Sequence, residues 1–130
     1  VQFRKANVIH AGDLFFRFYP FIDIGSGGSL AGLIAGVDRL LAIADDKTRI
    51  IPGHGPLANR ADLVEYREML MTTSGRIREL MKAGKTADEI VAAAPNADYD
   101  QKWAWAFITP ERYIRMVYVL LESELNPGRT

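Results

Sequence analysis

The chain has 130 residues, 48% hydrophobic and 25% charged, the size and mix of a single globular domain spanning 1–130, which excludes wholesale disorder. Lys+Arg and Asp+Glu both number 16, a balance that argues against nucleic acid as the main partner and against a polybasic membrane anchor. There is no cysteine, so disulfides, thiolate zinc sites, iron–sulfur clusters and cysteine nucleophiles are excluded.

Val8 to Asp13 reads as a short strand broken by Gly12-Asp13. Leu14 to Ile24 is aromatic and interrupted by Pro20, the pattern of a buried connecting segment. Gly25 to Ser29 is a turn, with Ser26 or Ser29 as N-cap of a helix over Leu30 to Ala44, where Leu30, Leu33, Ile34, Val37, Leu40 and Leu41 make one apolar face. Thr48 to Pro52 is a second strand, ended by Pro52-Gly53-His54-Gly55-Pro56. A long helix is expected from Arg60 to Ala83, capped by Asn59 and closed by Gly84. Gly75 weakens it by about 1 kcal/mol relative to Ala. Thr86-Ala87-Asp88-Glu89 is a capping box that opens a short helix to Ala94, stopped by Pro95. Asn96 to Phe107 reads as irregular. Thr109-Pro110 opens a last helix running to Leu125.

Two strands and four helices do not balance, because a two-stranded sheet buries little by itself. Either further strands lie in Gln2 to Arg4 and Phe16 to Ile22, or the sheet continues in a partner. The class is α/β or α+β, a small sheet covered by about four helices.

Both histidines sit beside turns. His54 follows a strand and is flanked by glycines, which permit close approach of a ligand. It reads either as a metal ligand or catalytic group or as a turn histidine held by a carbonyl. Asp13 ends the first strand and is either an oxygen ligand or a turn cap. His10, within that strand, reads as a packed side chain. Strand, helix and strand separate Asp13 from His54, and a right-handed βαβ unit sets its two strand ends side by side. Gly27, Gly28 and Ser29 ahead of a helix could present N–H groups to an anion, but they lack the lysine of a P-loop and serve equally as a flexible cap. Trp103, Trp105, Tyr113 and Tyr118 read as helix packing. Ser26, Ser29 and Ser74 lack the context of a serine hydrolase nucleophile.

Val8-Ile9-His10-Ala11-Gly12-Asp13-Leu14-Phe15-Phe16, the Gly-Ser-Gly-Gly-Ser turn and Ile50-Ile51-Pro52-Gly53-His54-Gly55 together resemble the C-terminal half of the metallo-β-lactamase-fold hydrolases, the superfamily that includes glyoxalase-type thioesterases. The helix after His54 and the closing Trp103, Phe107-Ile108-Thr109-Pro110 and Tyr118 pattern resemble one bacterial branch of it. The resemblance implies half of an αββα fold, with Asp13 matching the aspartate that bridges two metals, usually zinc, and His54 matching a ligand of the second metal. The family's His-x-His-x-Asp-His motif is absent. A catalytic zinc needs about three protein ligands and an open position, and Asp13 with His54 supplies two. No cofactor is therefore assigned, with zinc expected only where the site is completed.

The leading expectation is a truncated relative, stable as a homodimer that covers the sheet face left bare by the missing half, without efficient hydrolase activity alone and acting as a binding protein. The alternatives are a metal-dependent hydrolase of esters, thioesters or lactams, completed by an N-terminal half or by dimerisation, and a helical protein-interaction module. A small molecule is a further candidate partner; nucleic acid and membrane are not. The absence of cysteine leaves the compartment open. With no leader or apolar span read in the sequence, the cytoplasm is the default expectation.

Overall fold

The computed structural model of the protein describes residues 2–12, 14–22, 28–53 and 55–125. The strands among them are β1 (Gln2–Phe3), β2 (Val8–Gly12) and β3 (Arg49–Pro52), and the helices are α1 (Leu30–Ile43), α2 (Arg60–Lys82), α3 (Ala87–Ala93), α4 (Ala97–Trp103) and α5 (Pro110–Leu125). The class is mixed α+β. The sheet order is β1-β2-β3, with β1 antiparallel and β3 parallel to β2. One suspected strand is therefore real, at Gln2–Phe3. Residues 16–22 form none, because Pro20 and four aromatic rings commit that segment to packing instead.

Helix boundaries follow local chemistry. Ser29 caps α1, its hydroxyl accepting from the Gly32 N–H at 2.9 Å. Asn59 and Asp62 form a reciprocal capping box on α2, with bonds of 2.9 and 3.0 Å. Thr86 and Glu89 do the same for α3. Two orphan donors are satisfied at each such start. α2 runs unbroken through Gly75 and ends at Gly84, whose φ of +87° closes the helix without a side-chain clash. Thr109 accepts from the Arg112 N–H at 3.2 Å and opens α5.

The fifth helix corrects the irregular reading of Asn96 to Phe107. Seven residues are too few to hold a helix in isolation. α4 is held from outside: Arg76 on α2 grips Asp98 at 2.6 and 3.1 Å and the Pro95 carbonyl at 3.1 Å, while the Tyr19 hydroxyl donates to Asp100 at 2.8 Å. Asp98 and Asp100 also sit in the first turn, where the helix dipole favours negative charge.

One core joins the sheet to the helices. Ile9, Ala11 and Ile50 turn to the same side and share a cluster with Leu33, Val37 and Leu40 of α1, Leu63, Tyr66 and Leu70 of α2 and Tyr113, Val117 and Leu121 of α5. Tyr113 stacks on Tyr19 with ring centroids 3.9 Å apart, and its hydroxyl bonds Thr73 at 2.7 Å. Burial pushes both phenols well above their ordinary range, and Asp100 adds to the shift at Tyr19. The packing reading of the aromatic residues holds for Trp103, which is buried, and for Trp105, which stacks on Phe18 and donates its indole N–H to the Tyr19 carbonyl at 2.9 Å.

The alternate residues of the strands form the other face of the sheet. Register places Phe3 beside Val8, Val8 beside Arg49, and His10 beside Ile51. His10 is exposed there, not packed as its place in a strand suggests, because the core takes the alternate residues Ile9 and Ala11.

A polar cluster fixes where β3 begins. Asn7, at φ +53° in the β1–β2 turn, donates to Asp45 at 3.1 Å and accepts from the Thr48 hydroxyl at 2.8 Å, and the Lys47 N–H donates to Asp45 at 2.9 Å. The bond from Asn7, then those from Lys47 and Thr48, hold the Asp45 carboxyl below its usual range. A carboxyl lowered on folding stabilises above its ordinary pKa of about 3.9 and loses that contribution as pH falls through the lowered value. The urea midpoint of Asp45→Asn should fall below that of the parent at pH 7, and the gap should close below about pH 4. In the core, Ile50→Ala should cost about 2–5 kcal/mol in urea unfolding, whereas Ala at Leu57, 57% exposed, should stay within about 0.5 kcal/mol.

Candidate metal-binding edge

Two parallel strands expose the same end of each to the same edge of a sheet, and β2 and β3 are such a pair. Ile9 pairs with Ile50 and His10 with Ile51, and then the register slips so that Gly12 lies beside Pro52. The slip is a bulge that absorbs Ala11, and Gly12 takes φ +57°, a left-handed conformation that suits glycine. Asp13 and His54, the two residues singled out as metal ligands, lie outside the described residues. Their flanks do not. Gly12 and Leu14 on one side and Gly53 and Gly55 on the other occupy the C-terminal edge of neighbouring strands.

The loops that leave this edge are bonded to each other. The Gly53 N–H donates to the Phe15 carbonyl at 2.8 Å, while the Leu14 and Phe15 N–H groups turn back to Ala11 and Gly12 at 3.2 and 3.3 Å. Gly55 stands at φ +103°, and a Cβ on it would lie 3.0 Å from the Arg17 Cβ and 3.4 Å from the Phe16 carbonyl oxygen. Gly55 therefore serves close packing of one loop on another.

Sequence reasoning passed over Arg17. Its Nη1 donates to the Leu57 carbonyl at 3.1 Å and to the Pro56 carbonyl at 3.4 Å, and its Nη2 lies 3.4 Å from Asp62 at the start of α2. Its backbone sits at φ +62°, an uncommon conformation for a residue with a side chain. One signal was present: Arg17 is the sole charged residue between Leu14 and Ile22, in a stretch otherwise made of apolar and aromatic side chains.

Of the expected anion-binding turn, Gly27 lies outside the described residues, and Gly28 and Ser29 are exposed. The Ser29 hydroxyl and the Gly32 N–H are committed to each other in the α1 cap, so this turn offers a helix cap first. His10 is exposed on the second face of the sheet, on the strand that leads to the edge. Among the described residues no three His, Asp or Glu side chains gather closely enough to hold a metal ion. A carboxylate and an imidazole are suitable zinc donors in kind, but two fall short of a catalytic set in number.

Compared with known proteins, the chain matches no family model, and neither the curated proteins nor the solved structures give a significant match. The strain and contact at Gly55 give a direct check on the loop packing. Gly55→Ala should destabilise the fold by about 1–3 kcal/mol, since it adds both an unfavourable φ and a contact at the Arg17 stem. Urea unfolding reads the loss, and Gly75→Ala, with open space around its Cβ inside a helix, should instead be neutral or mildly stabilising.

Proposed function

We propose that the chain is a truncated relative of the metallo-β-lactamase-fold hydrolases, half of an αββα fold, in which Asp13 and His54 form an incomplete pair of metal ligands. By itself it is a weak metal binder without efficient hydrolase activity. The observation that carries this reading is the parallel pairing of Gly12 with Pro52, which brings the flanks of both candidate ligands to one sheet edge.

A second reading, completion by another layer, is favoured by exposed apolar surface on the second face of the sheet. Phe3 is 54% exposed there, beside the half-buried Val8 and Ile51, and Leu57 falls on the same side by the pleat alternation from Ala58, which bridges to Ile50. Arg49 and His10 interrupt this surface, so the bare patch is smaller than loss of a whole sheet would leave. A second copy of the chain covering it makes a homodimer, and further ligands brought by such a layer would turn the pair into a working metallohydrolase site.

Metal analysis separates these readings. After incubation with zinc and dialysis, the parent chain should retain less than one equivalent and should not hydrolyse an activated ester. The little that is retained should be lost in Asp13→Ala and in His54→Ala. Tight stoichiometric zinc with turnover in a monomeric species would remove the leading reading, and retention unchanged in both variants would remove the ligand assignment. Light scattering after size exclusion should give the mass of a dimer that Phe3→Glu shifts toward monomer. A clean monomer at micromolar concentration for the parent would remove the dimer.

A further inference from the structure

We propose that Arg17 is a positioning residue, a latch that locks the loop carrying His54 onto the loop that follows Asp13. The inference deepens the ligand-pair reading, yet its mechanical part stands independently of any metal.

Three observations meet at this one side chain. Its guanidinium spans two consecutive carbonyls, Pro56 and Leu57, and reaches Asp62 on the first turn of α2, so a single planar group ties the end of the His54 loop to the helix that follows. A fork of fixed donors suits such a job, whereas an ammonium supplies only a point charge. Both side chains of the ion pair are mostly shielded, 26% and 31% exposed, so the contact is less screened than an open surface pair. The stem of Arg17 also packs on Gly55, where a Cβ would lie 3.0 Å from the Arg17 Cβ, tighter than side chains ordinarily pack. Finally, the residue is held at φ +62°. A non-glycine residue there costs free energy that surrounding contacts must offset, and such strain gathers at functional positions. Together with the Gly53 to Phe15 bond, the latch fixes the backbone on both sides of His54 relative to the end of β2.

A merely structural arginine would lower overall stability without singling out this loop. The test therefore compares local with global readouts in the full chain, using Arg17→Gly, which accepts the same φ without the guanidinium, and Arg17→Lys, which keeps charge but not the fork. The chain has two histidines, so His54 is read by NMR with His10 as internal reference. In Arg17→Gly the Gly53 amide should exchange at least tenfold faster relative to the Leu70 amide in α2, and the His54 ring signals should shift by more than those of His10. Arg17→Lys should behave likewise, and carries the same readouts should the glycine variant fail to fold. Unchanged Gly53 protection and unchanged His54 signals in Arg17→Gly, or in Arg17→Lys where that is the variant that folds, overturn the latch. A lysine variant indistinguishable from the parent beside a perturbed glycine variant overturns the role of the guanidinium geometry in favour of charge alone.

Zinc chloride added to the same samples separates this inference from the reading beneath it. Zinc should shift His54 in the parent at concentrations at least tenfold lower than in Arg17→Gly. Equal response in both overturns the positioning role toward metal. Should zinc move His54 in neither, the ligand reading fails, and the exchange and ring-signal data alone decide the latch.

Discussion

Parallel pairing of β2 with β3 is the constraint on which the rest of the structure depends. Two parallel strands cannot be joined by a tight turn; the chain must leave one end of the sheet and return to the other. Here the return is made through the aromatic segment and α1. That path commits Ile9, Ala11 and Ile50 to one helix-covered face and leaves Phe3, Val8, His10 and Ile51 on the other. It also delivers two strand ends, Gly12 and Pro52, to a single edge. Everything said of Asp13 and His54 as a pair derives from that delivery.

The edge is built by backbone as much as by side chains. A bulge at Ala11, left-handed glycines at 12 and 55, and the bond from Gly53 to Phe15 set the paths of the two loops. The aromatic segment then anchors the first loop into the helices, with Tyr19 stacked on Tyr113 and bonded to Asp100, and Trp105 bonded back to Tyr19. Tyr19 thereby ties α4 and α5 to the segment that follows β2. Rigid support of this kind is what a ligand pair requires, since misplacement of a donor by a fraction of an ångström weakens coordination.

Much of this was legible from the residues. Apolar spacing gave α1 and α2, and the capping signatures at Asn59, Thr86 and Thr109 marked helix starts that the structure shares, α5 among them. The strand, helix and strand order gave the parallel pair, and with it the shared edge. Other features were not legible. α4 has no apolar periodicity, and its helix rests on Arg76 and Tyr19, which are remote in sequence. β1 is two residues long and carries no alternation of its own; pairing with β2 defines it. Arg17 looked like a stray charge among aromatics because its partners are the carbonyls of Pro56 and Leu57, and main-chain acceptors leave no trace in residue type. The proposed pairing of Asp13 with His54 was visible as two residue types beside turns and as a resemblance, and both residues lie outside the described ones.

The central claim is the side-by-side arrangement of the strands that lead to Asp13 and His54, and a chain without cysteine lets it be tested by cross-linking. His10 and Ile51 are direct partners across β2 and β3, at a separation of about 5 Å that a disulfide spans. Mild oxidation of His10→Cys/Ile51→Cys should close an intramolecular disulfide in the folded protein, with no free thiol left by titration, whereas His10→Cys/Arg49→Cys, one register step away and on the same face, should close poorly. Free thiols persisting in the first pair, or faster closure of the second, would contradict the parallel register and with it the shared edge.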